Sequence, residues 1–445
     1  MSRLLCSVLV ALLACGGGEP KATQPTNTAN KRKRSLPPLL SELALPVAAG
    51  SVVDGENDGD QELSASAISW LTGASGTSWE KVDAPATAHP VVCDAVPFLG
   101  ALFVSHAVEP LDQTGSRIHR YDPRAKEGER WTLAFDYNGG TSAGFHSGGG
   151  QGLSRLRVIY DRLFAVDSDS TSRGFFGLSD GFAEAYLFVS DKEGNFASPD
   201  SGVPARVRTI KSCLHALDVI EFRGALIATG GTGLFDEDRP RWPGALWIGD
   251  GASKILTPKY PLGLGAGVVR TSFMHRFKGR LYVGFQNNEA RAKFDLAILT
   301  DDPRAADAEP PVLARVTDEG GWLTRRFASG DGTLYWVATG YPRRDKKRGA
   351  LFRSNDGIRF ERVQLPPAAG VPQDVVVVSG AVFLLTNKGL YRSKSGSSFE
   401  LLAAAPSGDP FGHFETFCSA PLTVFDDALY AGSTRDGALY RVIPR

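Results

Sequence analysis

From Ser66 to the C-terminus one arrangement of apolar and polar positions keeps returning. A short apolar strand ends in a tight turn carrying Gly or Asp, and a second apolar strand follows. Phe277-Lys278-Gly279-Arg280-Leu281-Tyr282-Val283 and Phe425-Asp426-Asp427-Ala428-Leu429-Tyr430-Ala431 are the plainest copies. Further copies centre on Leu99-Gly100, Tyr160-Asp161, Arg223-Gly224, Asp331-Gly332 and Ser379-Gly380. Two apolar runs joined by two such residues predict a β-hairpin. The hairpins recur about fifty to sixty-five residues apart.

Behind several hairpins a second half repeats. Residues 349–363 and 389–401 each predict a third strand that turns through Ser, Asp or Gly into a fourth, and residues 185–191 and 244–251 are looser copies. Four antiparallel strands per repeat, set radially, is the β-propeller plan. The last repeat stops after a third strand at 437–442, while residues 76–82 ahead of the first hairpin match 357–363. The N-terminal segment therefore predicts the missing outer strand and closes the ring edge to edge. The expected fold is all-β, a seven-bladed propeller over residues 63–445 closed by an N-terminal strand. Ile68-Ser69-Trp70-Leu71 reads as a surplus third strand and keeps eight blades as the alternative.

The turn Ser354-Asn355-Asp356-Gly357-Ile358-Arg359-Phe360 resembles the Asp-box of sialidase-like propellers, S-x-D-x-G-x-x-W. It is one residue short between Asp and the aromatic, Phe replaces Trp, and in the second copy Ser395 holds the Asp position. The resemblance implies a structural turn whose carboxylate accepts backbone N–H bonds while the aromatic packs between blade layers. A sialidase-like enzyme would bring three Arg, a Tyr nucleophile with a Glu partner, and an Asp acid. Arg270, Arg325 and Arg326 fall near blade entrances, but no spacing assigns them those roles. No G-x-S-x-G, P-loop or paired-carboxylate motif occurs.

The N-terminus adds an address. Arg3 precedes an apolar run from Leu4 to Ala14, the length of a signal-peptide core and too short to cross a bilayer. The run ends in Leu12-Leu13-Ala14-Cys15-Gly16, which resembles the lipobox of bacterial lipoproteins. That chemistry needs a small residue before the cut, an apolar residue three before the Cys, and a thiol to accept lipid. The resemblance implies residues 1–14 as a cleaved leader, acylation (palmitate among the chains) at Cys15, and an envelope location. Gly16, in place of the Asp that retains lipoproteins at the inner membrane of enteric bacteria, points to the outer membrane and leaves the face open. Residues 15–62, rich in Gly, Pro, Thr, Asn and Asp and holding Lys31-Arg32-Lys33-Arg34, predict a disordered tether.

Charge and cysteines narrow the chemistry. Lys+Arg and Asp+Glu balance at 49 each, so no bulk field gathers nucleic acid. The mature body keeps Cys93, Cys213 and Cys418, with no C-x-x-C spacing. Ring closure brings Cys93 and Cys418 into neighbouring blades and makes them the disulfide pair, with three buried thiols as the alternative. Long loops between second and third strands carry the candidate ligand-face residues Asp167, Asp169, Asp236, Asp238, Asn288, Glu289, Tyr341, Arg343, Arg435 and Asp436. The acidic tips offer oxygens to Ca²⁺ without a fixed D-x-D-x-D-G loop, and no other cofactor is indicated. His146, His215, His275 and His413 lie at unequal offsets from the first strands and predict no shared metal site. The expected function is a lipid-tethered propeller that binds protein or polysaccharide at the envelope. A sialidase-like glycan hydrolase or lyase and a scaffold subunit of an envelope complex are the alternatives.

Overall fold

The computed structural model describes residues 39, 41, 73 and most of 76–444. Outside the description lie 87–88, 108–115, 138–151, 169–184, 197–206, 214, 232–234, 237–238, 241–243, 263–269, 286–293, 319–320, 341–344, 346 and 413–417. At 235, 236, 239, 240 and 261 the backbone alone is described. The leader, Cys15 and the surplus strand at 68–71 thus fall outside the described residues.

The described strands form antiparallel modules. After β1 (Thr77–Lys81), module A comprises β2 (Val91–Phe98), β3 (Ala101–Ala107), β4 (Arg117–Tyr121) and β5 (Trp131–Asp136). Module B comprises β6 (Leu153–Ile159), β7 (Arg162–Asp167), β8 (Ala185–Val189) and β9 (Val207–Ile210). Module C has β10 (His215–Phe222) and β11 (Ala225–Gly231), a small ribbon of β12 (Phe235–Asp236) and β13 (Arg239–Pro240), then β14 (Ala245–Gly249) and β15 (Ile255–Pro261). Module D follows with β16 (Thr271–Phe277), β17 (Arg280–Phe285), β18 (Leu296–Leu299) and β19 (Val312–Ala314). Module E holds β20 (Leu323–Gly330), β21 (Thr333–Thr339), β22 (Gly349–Ser354) and β23 (Glu361–Arg362). Module F holds β24 (Pro372–Val378), β25 (Ala381–Thr386), β26 (Gly389–Ser393) and β27 (Glu400–Ala404). Module G has β28 (Leu422–Phe425), β29 (Ala428–Gly432) and β30 (Leu439–Pro444). β1 pairs with β30 as its fourth strand, Thr77 opposite Pro444 and Lys81 opposite Tyr440. Modules B and C merge into one eight-stranded sheet because their outer strands β9 and β15 pair in parallel.

Every first hairpin turns the same way. Leu99-Gly100, Tyr160-Asp161, Arg223-Gly224, Lys278-Gly279, Asp331-Gly332, Ser379-Gly380 and Asp426-Asp427 all place both central residues at positive φ. That is the type I′ geometry, whose twist matches the twist of paired strands.

Sheets this short cannot bury both faces alone, so the core lies between them. One apolar cluster joins Phe98 and Phe103 of module A to Leu156 and Phe188 of module B. The same holds from B to C, C to D, D to E, E to F and F to G. A further cluster joins Leu102, Val104 and Tyr121 of module A to Phe425, Tyr430 and Leu439 of module G. The arrangement is all-β and propeller-like. First strands adjoin one another in chain order, and β28 adjoins β2.

The turns between third and fourth strands are held by local bonds, and those of modules E and F reach the module before. The Asp356 carboxylate accepts N–H bonds from Ile358 and Arg359 at 2.8 Å each, and Ser354 Oγ accepts from Gly357 N at 2.9 Å. Asp122, Asp191, Asp250 and Asp302 accept backbone N–H bonds at the equivalent turns of modules A to D. Gly357, at φ +73, lies so close to module D that a Cβ there would collide with Tyr282 Oη, which donates to Gly357 O at 2.9 Å. Gly396, at φ +69, faces Tyr335 Oη of module E in the same way. Gly357→Ala is therefore expected to destabilise the fold by about 1–3 kcal/mol through backbone strain and a displaced Tyr282, read as a fall in the urea midpoint.

Among the described residues, the stretch read as tether meets the propeller-like unit at Leu39. Leu39 forms a parallel bridge with Arg315, immediately after β19.

Candidate functional site

The first strands of the described modules adjoin one another about a common axis, and six of them carry a register shift near their start: at Val92/Asp94, Leu153/Leu156, Ala216/Asp218, Thr271/Met274, Thr324/Arg326 and Pro372/Asp374. A bulge re-aims the side chain it carries. Here it sets charged residues at one level of the axis: Asp94, Asp218 and Asp374 on modules A, C and F, and Arg326 on module E.

Each of the three carboxylates bonds the next module. Asp94 Oδ2 accepts from Leu156 N, Asp218 Oδ2 from Met274 N and Asp374 Oδ2 from Leu422 N, all at 2.8 Å. The second oxygens of Asp218 and Asp374 accept from their own following residues, Val219 N at 2.8 Å and Val375 N at 2.7 Å. Guanidinium groups hold the remaining valences. Arg157 grips Asp218 through Nε at 3.0 Å and Nη2 at 2.8 Å, and Nη2 also reaches Met274 O. Arg326 crosses the axis to donate to Asp94 Oδ1 at 3.0 Å and Cys93 O at 3.1 Å, with Asp374 Oδ2 3.5 Å from its Nε. Arg155 lies 3.4 Å from Asp94 Oδ1 and 4.0 Å from Asp218 Oδ1, and its side chain keeps 13% exposure. Three Asp and three Arg thus form one buried, charge-balanced web.

Burial pushes the Asp94 carboxyl upward, against the pull of Arg326 and the Leu156 N–H. Burial likewise carries Asp374 up to about 7, against Arg326 and two backbone N–H donors. A well of about 90 Å³ extends from this level toward the hairpin turns, with Asp94, Arg155, Arg326 and Asp374 at its charged end and Val96, Val377 and Val424 among its walls. His275 Nε2 lies 2.9 Å from Ser329 Oγ beside it.

At the same level Cys93 of module A and Cys418, ahead of β28, form a disulfide that spans 325 residues of chain. Cys213 is buried as a thiol, and burial pushes it far above the usual thiol range.

A second polar cluster sits where module A meets the β29–β30 turn. His106 Nε2 lies 3.0 Å from Gly437 O, and His119 Nδ1 lies 3.2 Å from His106 Nδ1. Trp131 closes the group edge-on. Both imidazoles are buried, and burial lowers His106 to about 3 and His119 to about 4, helped by His119 and His89 for the first and by Arg117 and His89 for the second. A base whose folded pKa is depressed contributes its stability above the unfolded pKa near 6.5 and loses it as pH falls toward the folded value. Unfolding free energy is therefore expected to drop between pH 7.5 and 5 by about 2 kcal/mol from His106 alone, measured by urea titration at each pH. His106→Gln should flatten that slope.

The candidate loop residues fare differently. Asp167 ends β7 fully buried, where Tyr137 Oη donates to its Oδ2 at 2.9 Å. It is a packed residue at the end of a strand and not an exposed loop tip. Arg435 is exposed in the turn before β30. Asp436 in the same turn pairs with Lys81 of β1 at 2.7 Å and accepts from Tyr440 Oη at 3.2 Å. Asp236 has its backbone in β12, paired with Arg239. Asp169, Asp238, Asn288, Glu289, Tyr341 and Arg343 lie outside the described residues, as do His146 and His413. His215 is buried with Nδ1 3.0 Å from Ser168 O, away from His275 and Ser329. The three arginines considered for a carboxylate site separate: Arg326 joins the axial web, Arg325 Nε donates to Thr339 Oγ1 at 3.0 Å, and Arg270 bridges Gly231. Among the described residues no three His, Cys, Asp or Glu side chains are grouped to hold a metal.

The axial web was missed in the sequence, although a signal was present. Asp94, Asp218, Arg326 and Asp374 each stand six residues before the turn glycine of their hairpin: Gly100, Gly224, Gly332 and Gly380.

No family model matches the chain, and no curated protein matches it. Solved structures do. The extracellular domain of a protein from B. thetaiotaomicron, described as a one-component system, is 10% identical with a TM-score of 0.50, over 82% of this chain and 39% of that one. This chain therefore spans about two fifths of that neighbour's length. The Neurospora crassa Pan2 WD40 domain is 9% identical with a TM-score of 0.49, over 83% and 96% of the two chains. The β-propeller domain of the Trilobed protease from Pyrococcus furiosus is 10% identical with a TM-score of 0.42, over 81% and 94%. The likeness is one of fold.

Proposed function

We propose that this protein is a lipid-anchored envelope β-propeller, tethered to a bacterial membrane through Cys15, that serves as an interaction module for a protein or polysaccharide. In this reading modules A to G are seven blades of one ring, and β1 closes it as the fourth strand of module G. The observation that carries the proposal is how the axial polar groups are used. The carboxylates that would have to serve a reaction accept backbone N–H bonds from the next module and face buried guanidinium groups, so they hold the ring together. A rigid ring of this kind is a platform, and the long loops are its means of recognition. The Cys93–Cys418 disulfide supports the exported location, since such bonds persist in oxidising compartments. The outer membrane is the proposed destination.

Growth with an alkyne-palmitate and comparison with Cys15→Ala tests the anchor. The wild type should label and sediment with membranes, and the variant should do neither. Equal labelling of the two proteins would remove the lipoprotein reading. Affinity capture of the wild type from crosslinked envelopes, together with turnover assays on sialylated and other glycans, tests the role. Recovered partner or polysaccharide without turnover is expected, and glycan turnover would install the hydrolase or lyase reading instead.

A further inference from the structure

The histidine pair of module A holds the β29–β30 turn through a chain of donors that has one workable arrangement. Gly437 O can only accept, so the His106 Nε2 that faces it at 3.0 Å carries the proton. In the neutral ring His106 Nδ1 is then an acceptor, and His119 Nδ1, 3.2 Å away, is its donor. A second proton on His106 sets two N–H groups against each other across that gap, and one on His119 adds charge beside Arg117 and His89. Neither imidazole takes a carboxylate as hydrogen-bond partner among the described residues. Around the pair stand His89 ahead of β2, Arg117 of β4 paired with Asp136 of β5, and Asp436 of the turn, held by Lys81 and Tyr440. Packing leaves little slack: a Cβ on Gly437 would lie 3.0 Å from His89 O and 3.6 Å from His106 Cδ2.

We propose that the pair is an acid-released latch: proton uptake by the two imidazoles frees the 433–437 turn of module G from module A. The bonds that let go are His106 Nε2 to Gly437 O, Gly437 N to Pro90 O at 2.6 Å, and Val92 N to Ser433 O at 2.8 Å. The Cys93–Cys418 disulfide and the apolar cluster of Leu102 and Tyr121 with Tyr430 and Leu439 keep the two modules joined. Burial holds the latched His106 at about 3 and His119 at about 4, whereas released imidazoles titrate near 6.5. Between pH 7.5 and 5 each ring therefore favours the open turn by about 30-fold, and the two together by about a thousandfold. The turn carries the exposed Arg435. That acid thereby alters an edge of the recognition surface rests on the proposed function, whereas the latch does not.

Amide hydrogen exchange of the full-length protein, read at Val92 and Gly437 by fragmentation mass spectrometry and corrected for intrinsic rates, tests the latch. Protection at both amides is expected to fall about a thousandfold from pH 7.5 to 5. At pH 5 it should lie at least about tenfold below that of the β21 amides and stay unchanged in about 0.5 M urea, because a local opening exposes little surface. In His106→Gln the side-chain amide keeps its bond to Gly437 O and takes no proton, so the fall should shrink to about 30-fold. Protection that is flat with pH, that tracks β21 at every pH, or that still falls about a thousandfold in folded His106→Gln would each overturn the proposal. Should His106→Gln fail to fold, His119→Gln carries the same expected reduction, and an undiminished fall there would overturn it equally.

Discussion

Asp218→Ala is expected to lower unfolding free energy by about 3–5 kcal/mol, because it strands a buried guanidinium. Arg157 is 3% exposed and holds Asp218 through two nitrogens at 3.0 and 2.8 Å. The same carboxylate satisfies Val219 N and, across the module boundary, Met274 N. Truncation removes the carboxylate that balances Arg157 and that two backbone donors share, in a site that water cannot easily enter. Asp218→Asn should fall between wild type and Ala, since its amide oxygen can keep one N–H bond but cannot balance Arg157. Urea unfolding followed by tryptophan fluorescence measures this, as a lower midpoint at unchanged slope. A loss below about 1 kcal/mol would mean that the axial web is a weaker staple than argued.

Removing the disulfide comes next in size. Cys93 and Cys418 join the first strand of module A to the segment leading into module G, across 325 residues. Cross-linking so distant a pair restricts the unfolded chain strongly, and its loss is expected to cost about 2–5 kcal/mol. The Cys93→Ser, Cys418→Ser double variant should show that loss without reductant. Dithiothreitol should bring the wild type down to the variant and leave the variant where it is. Cys213, buried as a thiol, should contribute nothing to the difference. If reductant shifts both proteins equally, the bond is not the source of the stability.

What was legible beforehand follows physical lines. The hairpins showed themselves because apolar runs flank a two-residue turn, and the type I′ geometry at Arg223-Gly224 or Lys278-Gly279 is what such pairs support. The Asp356 turn was legible because its bonds are local: Ser354, Ile358 and Arg359 lie within three residues. The axial web depends on partners such as Arg326 and Asp94, which lie 232 residues apart. No local pattern reveals such a pair, and only the recurring six-residue offset to the turn glycine hints at a common level. Asp167 was misread for a related reason. An acidic residue at a strand end looks like a loop tip until Tyr137, thirty residues earlier, is seen to donate to it. The bridge from Leu39 to Arg315 was hidden because Pro37 and Pro38 interrupt the apolar run around it and its partner lies far along the chain.

The measurement that tests the central claim most directly is the intact mass of the protein purified from the membrane fraction of its native host, before and after reduction. The account predicts a chain that begins at Cys15, carries acyl and diacylglycerol mass on that residue, and gains two hydrogens when the Cys93–Cys418 bond is reduced. A soluble chain with an unmodified Cys15, or one that retains residues 1–14, would contradict it.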